Sequence, residues 1–172
     1  MRRIILIMAL VMVFSLAGMS SSVFARDDEY SRKTLKGLNG VFLQGIFMDK
    51  DSESAGIEQK QIQSDVELKL KLAGIKVLTK EEHSKDKEPT SLAISINTYK
   101  YSQDVLIYYI SIELSQVVYL MRDPNIMAID ETWSVDRFGN TSMKYAETNI
   151  RANIKDGIDR FIYAYLSVNP KT

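Results

Sequence analysis

The residue types that could perform catalysis are scarce in this chain, which has one histidine and no cysteine. A nucleophilic serine needs a base that a third group holds rigidly, and protein zinc sites draw mainly on histidine and cysteine ligands. The one histidine, His83, stands among charged residues in the polar run TKEEHSKDKEP over 79–89, which predicts a solvent-exposed side chain in a loop. We therefore predict that the protein is not an enzyme and has no catalytic residue, no metal site and no cofactor.

Two groups of acidic residues invite a chemical interpretation. Residues 49–53 (DKDSE) carry the alternating acids that open a calcium-binding loop. Ser54 and Lys60 then occupy the positions where such a loop requires a glycine and a bidentate glutamate, so we expect a solvated acidic loop instead. Glu113 and Glu131 lie at unequal distances from the turn between their strands, and an acid/base pair across that hairpin is not expected.

The stronger candidates are binding residues. Tyr109, Glu113 and Tyr119 share one face of a long strand, and this mixed aromatic and polar surface is of a kind found where proteins meet partners. An exposed sheet face or edge can accept another chain, although an ordinary solvated sheet face is the alternative interpretation. Trp133, the one tryptophan of the chain, is expected either to anchor the core beneath the C-terminal helix or to stack on a ligand.

The elements that position these residues follow from the spacing of the apolar side chains. Helical spacing predicts one helix from about Ile57 to Ala73, which Gly74 caps, and another from about Ile150 to Leu166. The resulting order β-α-β-β-β-β-α predicts an α+β fold, a single two-layer domain with a mostly antiparallel sheet and two helices on one face. Strands are predicted at 38–48, 75–78, 92–97, 108–120 and 126–135, with a turn at 123–125 and a strand end at 138–140.

Gln116 is the exception on its strand. It shares a face with apolar residues, from Tyr108 through Leu114 to Leu120. Because a buried amide needs hydrogen-bond partners, Gln116 predicts a β-bulge or a bend in this long strand.

The first 25 residues are typical of a cleaved secretory signal peptide. Arg2 and Arg3 precede an apolar run that reaches to about Ala17, which is short of the ~20 residues of a membrane-spanning helix. Val23 and Ala25 then occupy the −3 and −1 positions of a signal-peptidase cut. We predict a signal peptide over 1–25, a disordered leader over 26–36 and one domain over 37–172.

The predicted mature chain also limits the class of partner. Residues 16–19 (LAGM) resemble a lipoprotein lipobox with methionine in the cysteine position, so we expect neither a lipid anchor nor a transmembrane anchor after cleavage. Removing Arg2 and Arg3 with the signal leaves 20 basic and 22 acidic residues, a net charge of −2. This balance argues against nucleic acid as a partner, which would require a basic face.

Several short phrases of the domain carry a resemblance to known proteins. They are LKGLNGV at 35–41, DVELKL at 65–70, AGIKVL at 73–78, TWS at 132–134, FI at 161–162 and YLSVNP at 165–170. These phrases resemble those of a group of secreted single-domain bacterial proteins. The order of elements is also similar to small envelope domains such as LptE and the N-terminal domain of TolB, and this resemblance implies docking onto other envelope proteins and brings no catalytic residues.

Two functions follow as hypotheses. The first is a non-enzymatic periplasmic adaptor or assembly factor that binds another envelope protein, and full export is the alternative location. The second is a carrier that holds a lipid or another apolar small ligand between sheet and helices, against Ile110, Ile112, Leu114 and Trp133. The sequence leaves the oligomeric state open.

Overall fold

The computed structural model describes residues 22–170, so the predicted signal segment up to residue 21, with the lipobox-like residues 16–19, lies outside the described residues. The strands are β1 (Ser22–Arg26), β2 (Phe42–Met48), β3 (Thr90–Lys100), β4 (Val105–Leu120) and β5 (Asp123–Ser142). The helices are α1 (Glu29–Lys33), α2 (Lys50–Ser54), α3 (Gln59–Leu72), α4 (Lys80–Lys85) and α5 (Ala146–Val168), with a 3₁₀ turn over Met143–Tyr145.

The sheet has the strand order β1-β5-β4-β3-β2, and all neighbours are antiparallel except β2 and β3. The two long helices, α3 and α5, pack on one face, which we call the inner face; the opposite side of the sheet is the outer face. The predicted α+β domain with a mostly antiparallel sheet is therefore confirmed.

The core lies between the inner face and the two long helices. Strand alternation places every second residue of β3 and β4 inward, and those residues meet the apolar stripes of α3 and α5. Gly157 of α5 lies so close to Ile112 that a side chain at this position would collide with it. Fully buried members are Ile62, Val66, Leu70, Leu92, Ile94, Ile96, Ile110, Ile112, Leu114, Ile150, Ile154, Ile158 and Phe161.

Both predicted long helices are present. At the end of α3, Gly74 has φ +78°, and the Ile75 N–H donates to the Leu70 carbonyl at 2.9 Å, as the predicted cap requires. The strand predicted at 75–78 is reduced to one bridge between Val41 and Val77.

The predicted loop over 79–89 and the predicted loop at 49–55 each contain a short helix instead. Thr79 and Glu82 form a reciprocal capping box that starts α4, with bonds of 3.2 and 2.9 Å. Asp49 caps α2 and also accepts the Thr98 N–H at 2.6 Å. Hydrogen bonds from nearby side chains to the backbone therefore give a defined structure to segments whose polar composition predicts a solvated loop.

His83 differs from the prediction of an exposed side chain. It lies on α4 with its ring stacked on Phe42 at 4.4 Å between centroids, and it is half-buried. Its Nδ1 is buried without a hydrogen-bond partner. The polar neighbours of His83 face solvent, whereas the helix turns His83 itself toward the sheet.

The hairpin of β4 and β5 is longer than predicted. The chain turns over residues 121–122 rather than 123–125, because Leu120 stands opposite Asp123. The predicted strand end at 138–140 is wrong as well, since β5 continues through it. Gly139 is required there by Tyr108, whose hydroxyl oxygen lies 2.6 Å from where a Cβ would stand.

The bulge predicted from Gln116 lies next to it. The register of β4 and β5 shifts between Leu114 and Ser115, which leaves Thr132 as the extra residue of β5. The Gln116 amide donates to the Thr132 hydroxyl at 2.7 Å and to the Thr34 carbonyl at 3.2 Å. Both bonds satisfy the amide that the sequence places on an apolar face.

Residues 26–36, predicted to be a disordered leader, have defined structure. Asp28 caps α1 by accepting the Ser31 N–H at 2.8 Å. Asp27 pairs with Arg32 through two bonds of 2.7 and 2.8 Å, and Leu35 is fully buried. A charged composition suggested fraying here, but the charges pair with one another.

Candidate functional site

The end of the β4–β5 hairpin, 15 of its 38 residues, extends beyond the rest of the sheet. Strand β3 pairs with β4 only as far as Gln116, and β1 pairs with β5 only as far as Ser134. Beyond these points, no further strand among residues 22–170 pairs with the two strands, which continue as a ribbon over 117–131. We call this ribbon the arm and the remainder of the domain the body. A two-stranded ribbon is marginally stable in water by itself.

Apolar side chains dominate the surface of the arm. Met121 is 100% exposed, Ile129 75%, Met127 68% and Tyr119 60%, and Ile126 is also exposed. Cross-strand pairing sets Val117 beside Ile129 and Tyr119 beside Met127 on the outer side. Monomeric proteins rarely expose a contiguous apolar patch unless it contacts a partner or a ligand.

The charged residues of the arm lie at its two ends. Arg122 and Asp123 occupy the tip, and Asp130 and Glu131 occupy the base, next to the bulge. The apolar stretch between the ends carries no net charge. Contact with this stretch therefore requires little desolvation of charge.

The outer face of the body carries a second group of exposed rings. Five aromatic side chains project from it, and each is between 38% and 64% exposed. Pairing places Phe24 beside Asp136 at one edge of the sheet and Phe47 beside Ser95 at the other. The five are Phe24, Phe47, Tyr99, Tyr109 and Phe138.

Between these rings the outer face is acidic. The Ser111 hydroxyl oxygen lies 2.6 Å from a carboxylate oxygen of Glu113 and 2.6 Å from one of Asp136. Burial raises the pKa of the Tyr109 hydroxyl, and the neighbouring Asp136 raises it further. The hydroxyl of Ser111 has one proton, so it can donate to only one carboxylate at a time.

The three residues predicted to bind a partner lie on one surface but not in one place. Tyr109 and Glu113 belong to the body, whereas Tyr119 belongs to the arm. Ten residues separate the two tyrosines, a distance of about 33 Å along an extended strand. A partner that touches both must therefore follow the strand for much of its length.

Trp133 lies inside the core at the base of the arm. It is fully buried, its ring meets Phe161 edge-on at 5.2 Å, and its indole N–H donates to Asp27 at 2.9 Å. This packing corresponds to the core-anchor interpretation. Ile112 and Leu114 are also buried, so side chains occupy the space where the carrier hypothesis places a ligand.

Asp27 connects the N-terminal segment to this part of the core. Burial by itself would raise the pKa of its carboxyl, but hydrogen bonds from Arg32 and from Trp133 outweigh burial and hold the pKa below its usual value. The ionised carboxylate is therefore the form that the fold favours.

Open clefts lie outside the core in the described part of the chain. One of about 380 Å³ separates α1 from the base of the arm and is lined by Tyr30, Thr34 and Val118 among others. Another of about 360 Å³ lies beside Arg32 and Val168. Within residues 22–170, no helix has the length and apolar character to cross a membrane, and no group of three acidic or histidine side chains could hold a metal ion.

Sequence reasoning found Tyr119 and missed the other residues of the arm. The signal that could have found them is the loss of alternation after Gln116. Residues 117–121 (VVYLM) are apolar on both faces of the strand, and residues 126–129 (IMAI) repeat this on the returning strand. In an antiparallel sheet with one solvated face, such a stretch requires cover on both faces.

Comparison with known proteins shows little similarity. No family model and no curated protein matches this chain. A solved structure described as the PelC dodecamer from Paraburkholderia phytofirmans is similar at 10% sequence identity and a TM-score of 0.39. The match covers 82% of this chain and 97% of the other, and no functional conclusion is drawn from a likeness of this size.

Proposed function

We propose that this chain is a non-enzymatic envelope protein, an adaptor or assembly factor, that binds another envelope protein through its arm. The observation that carries the proposal is the apolar arm, which no element within residues 22–170 covers and in which Met121, Met127 and Ile129 are each more than two-thirds exposed. The periplasmic location rests on the signal-like sequence of residues 1–25.

The composition of the arm suits a protein partner. Methionine, tyrosine and arginine are enriched in protein interfaces, and the arm presents Tyr119, Met121, Arg122 and Met127 together. Full burial of one large apolar side chain is worth roughly 1.5–3 kcal/mol, so cover over the arm supplies a large favourable contribution to association. The acidic outer face of the body gives the partner a second, polar contact.

The test compares two surfaces with the same degree of exposure. Met127→Ser combined with Ile129→Ser alters the arm, and Leu72→Ser is the matched control, because Leu72 is 77% exposed on α3, on the helix side of the sheet. Each tagged protein is purified gently from the envelope fraction of its own host and weighed by native mass spectrometry. We expect a stoichiometric second protein with the wild type and the control, and at least a tenfold loss with the arm variant.

The tyrosines then separate the arm from the body. Tyr119→Ala should release more of the partner than Tyr109→Ala, since Tyr119 is 60% exposed and Tyr109 only 38%. An arm variant that retains the partner as well as the wild type does would refute the proposal, as would a wild-type protein that carries no second chain.

A further inference from the structure

Strand β1 crosses the predicted signal-peptidase cut. Residues 22–26 stand opposite residues 138–134 of β5, in antiparallel register. A cut between Ala25 and Arg26 removes four of the five residues of β1 and leaves only the pair of Arg26 with Ser134. The fold described here and the processed fold therefore differ at this edge of the sheet.

The domain can lose β1 without losing its core. Val23 is half-buried, the other four residues of β1 are exposed, and the fully buried apolar residues begin at Leu35. Opposite Val23 lies Arg137, which is 9% exposed and whose Nε–H has no acceptor within residues 22–170. Loss of β1 gives water or a partner access to this guanidinium. Hydrogen bonds to the guanidinium then offset part of the free energy that is lost with the β1–β5 pairing.

Without β1, strand β5 becomes an open edge along its whole length. Among the residues that the structure describes, none pairs with the arm portion of β5 on this side, and the segment 134–138 joins it. Long open edges present unpaired N–H and C=O groups that accept further strands. The result is an edge that runs from the body directly into the apolar arm.

We propose that the processed protein accepts one extended strand of its partner along β5, in the place that β1 leaves. This inference rests on the proposed function and on the cut after Ala25. The register of β1 defines the chemistry of the occupant, which runs antiparallel to β5. It places an apolar side chain inward at the position of Val23 and an aromatic side chain outward at the position of Phe24.

A second copy of this chain fits the edge less well than a partner strand. Two β5 edges that pair with each other bring together two strands that each have a net charge of −2 over residues 130–137, from Asp130, Glu131 and Asp136 against Arg137. Like charges opposite one another destabilise a strand pair. The processed chain, which begins at Arg26, also no longer contains the segment that fits this edge.

The first measurement is the intact mass of the protein as its own host processes it. We expect an N-terminus at Arg26. An N-terminus upstream of Ser22 overturns the proposal, because β1 then fills the edge. This result leaves the arm test above unaffected, so the two proposals can fail separately.

The second measurement determines the register in which a peptide pairs with β5 of the processed protein. The chain has no cysteine, so Phe138→Cys introduces a single thiol, and a synthetic peptide of residues 18–26 (GMSSSVFAR) serves as the probe. Ser22 pairs with Phe138, whereas Phe24 pairs with Asp136. With copper–phenanthroline and dissolved oxygen as the oxidant that takes up the two electrons and two protons of the thiols, the peptide with Ser22→Cys should therefore form a disulfide at least tenfold faster than the peptide with Phe24→Cys.

The specificity control is the Ser22→Cys peptide with Val23→Lys, which should lose at least tenfold in its rate, because an ammonium group would then face the guanidinium of Arg137 opposite this position. Equal rates for all peptides, or no disulfide with any of them, overturn the proposal. The processed Phe138→Cys protein could also form disulfide-linked dimers. If excess peptide does not lower the yield of these dimers, the β5 edge pairs with a second copy of the chain, and the proposal is overturned as well.

Discussion

The same two strands build both the body and the arm, and the two regions differ in what covers them. In the body, the inward side chains of β4, such as Ile110, Ile112 and Leu114, are at most 1% exposed beneath α5. In the arm, Met127 and Ile129 are 68% and 75% exposed, although both are apolar as well. Apolar content alone therefore does not identify a core; an apolar strand joins the core only where another element of the chain covers it.

The largest expected effect concerns the body. Phe161→Ala removes a fully buried ring that packs edge-on against Trp133, and we expect a loss of about 4 kcal/mol in the free energy of unfolding. Tyr163→Ala is the matched control, since Tyr163 lies on the same helix and is 66% exposed. Urea unfolding followed by circular dichroism measures both. Equal losses for the two variants would mean that the helix does not cover the body as described.

The body is the region that the sequence predicted well. Its helices carry apolar residues at regular helical spacing, and Leu92, Ile94 and Ile96 alternate as strand residues do. The incorrect predictions concern segments whose secondary structure is determined by a single local contact. Thr79 and Glu82 cap a helix inside a polar run, and Gly139, which suggested a strand end, makes room for Tyr108.

The candidate site was predicted only in part, for a physical reason. Tyr109, Glu113 and Tyr119 could be assigned to one face because strand side chains alternate. The length of the arm could not be assigned, because it depends on where β1 and β3 end along their neighbours. Those two ends are tertiary features, set by pairing with strands that are distant in the sequence.

An intermediate effect is expected where the body meets the arm. Asp27→Asn removes the charge that pairs with Arg32 while leaving an oxygen for the Trp133 indole, and we expect a loss of about 2 kcal/mol at pH 7. Glu29→Gln is the control, because the Glu29–Lys33 pair is exposed and should contribute no measurable stability.

The effect of Asp27→Asn should also depend on pH. The pKa of Asp27 is lower in the folded protein than in the unfolded chain, so its contribution to stability is present above the unfolded value of about 3.9. That contribution is lost as the pH falls through the lower folded value. The unfolding free energies of the wild type and Asp27→Asn should therefore converge below about pH 4. A constant difference down to pH 2 would exclude the ion pair as its cause.

The smallest expected effect on stability concerns the arm, and it sharpens the comparison most. Ile129→Ser should change the free energy of unfolding by less than about 0.5 kcal/mol, because the side chain is already in solvent. The same change should lower the binding of a dye that detects exposed apolar surface, such as ANS, to the folded protein. A loss of stability as large as that of Phe161→Ala would show instead that the arm is covered in solution. The apolar side chains of the arm would then stabilise the fold itself, and the contrast between arm and body would disappear.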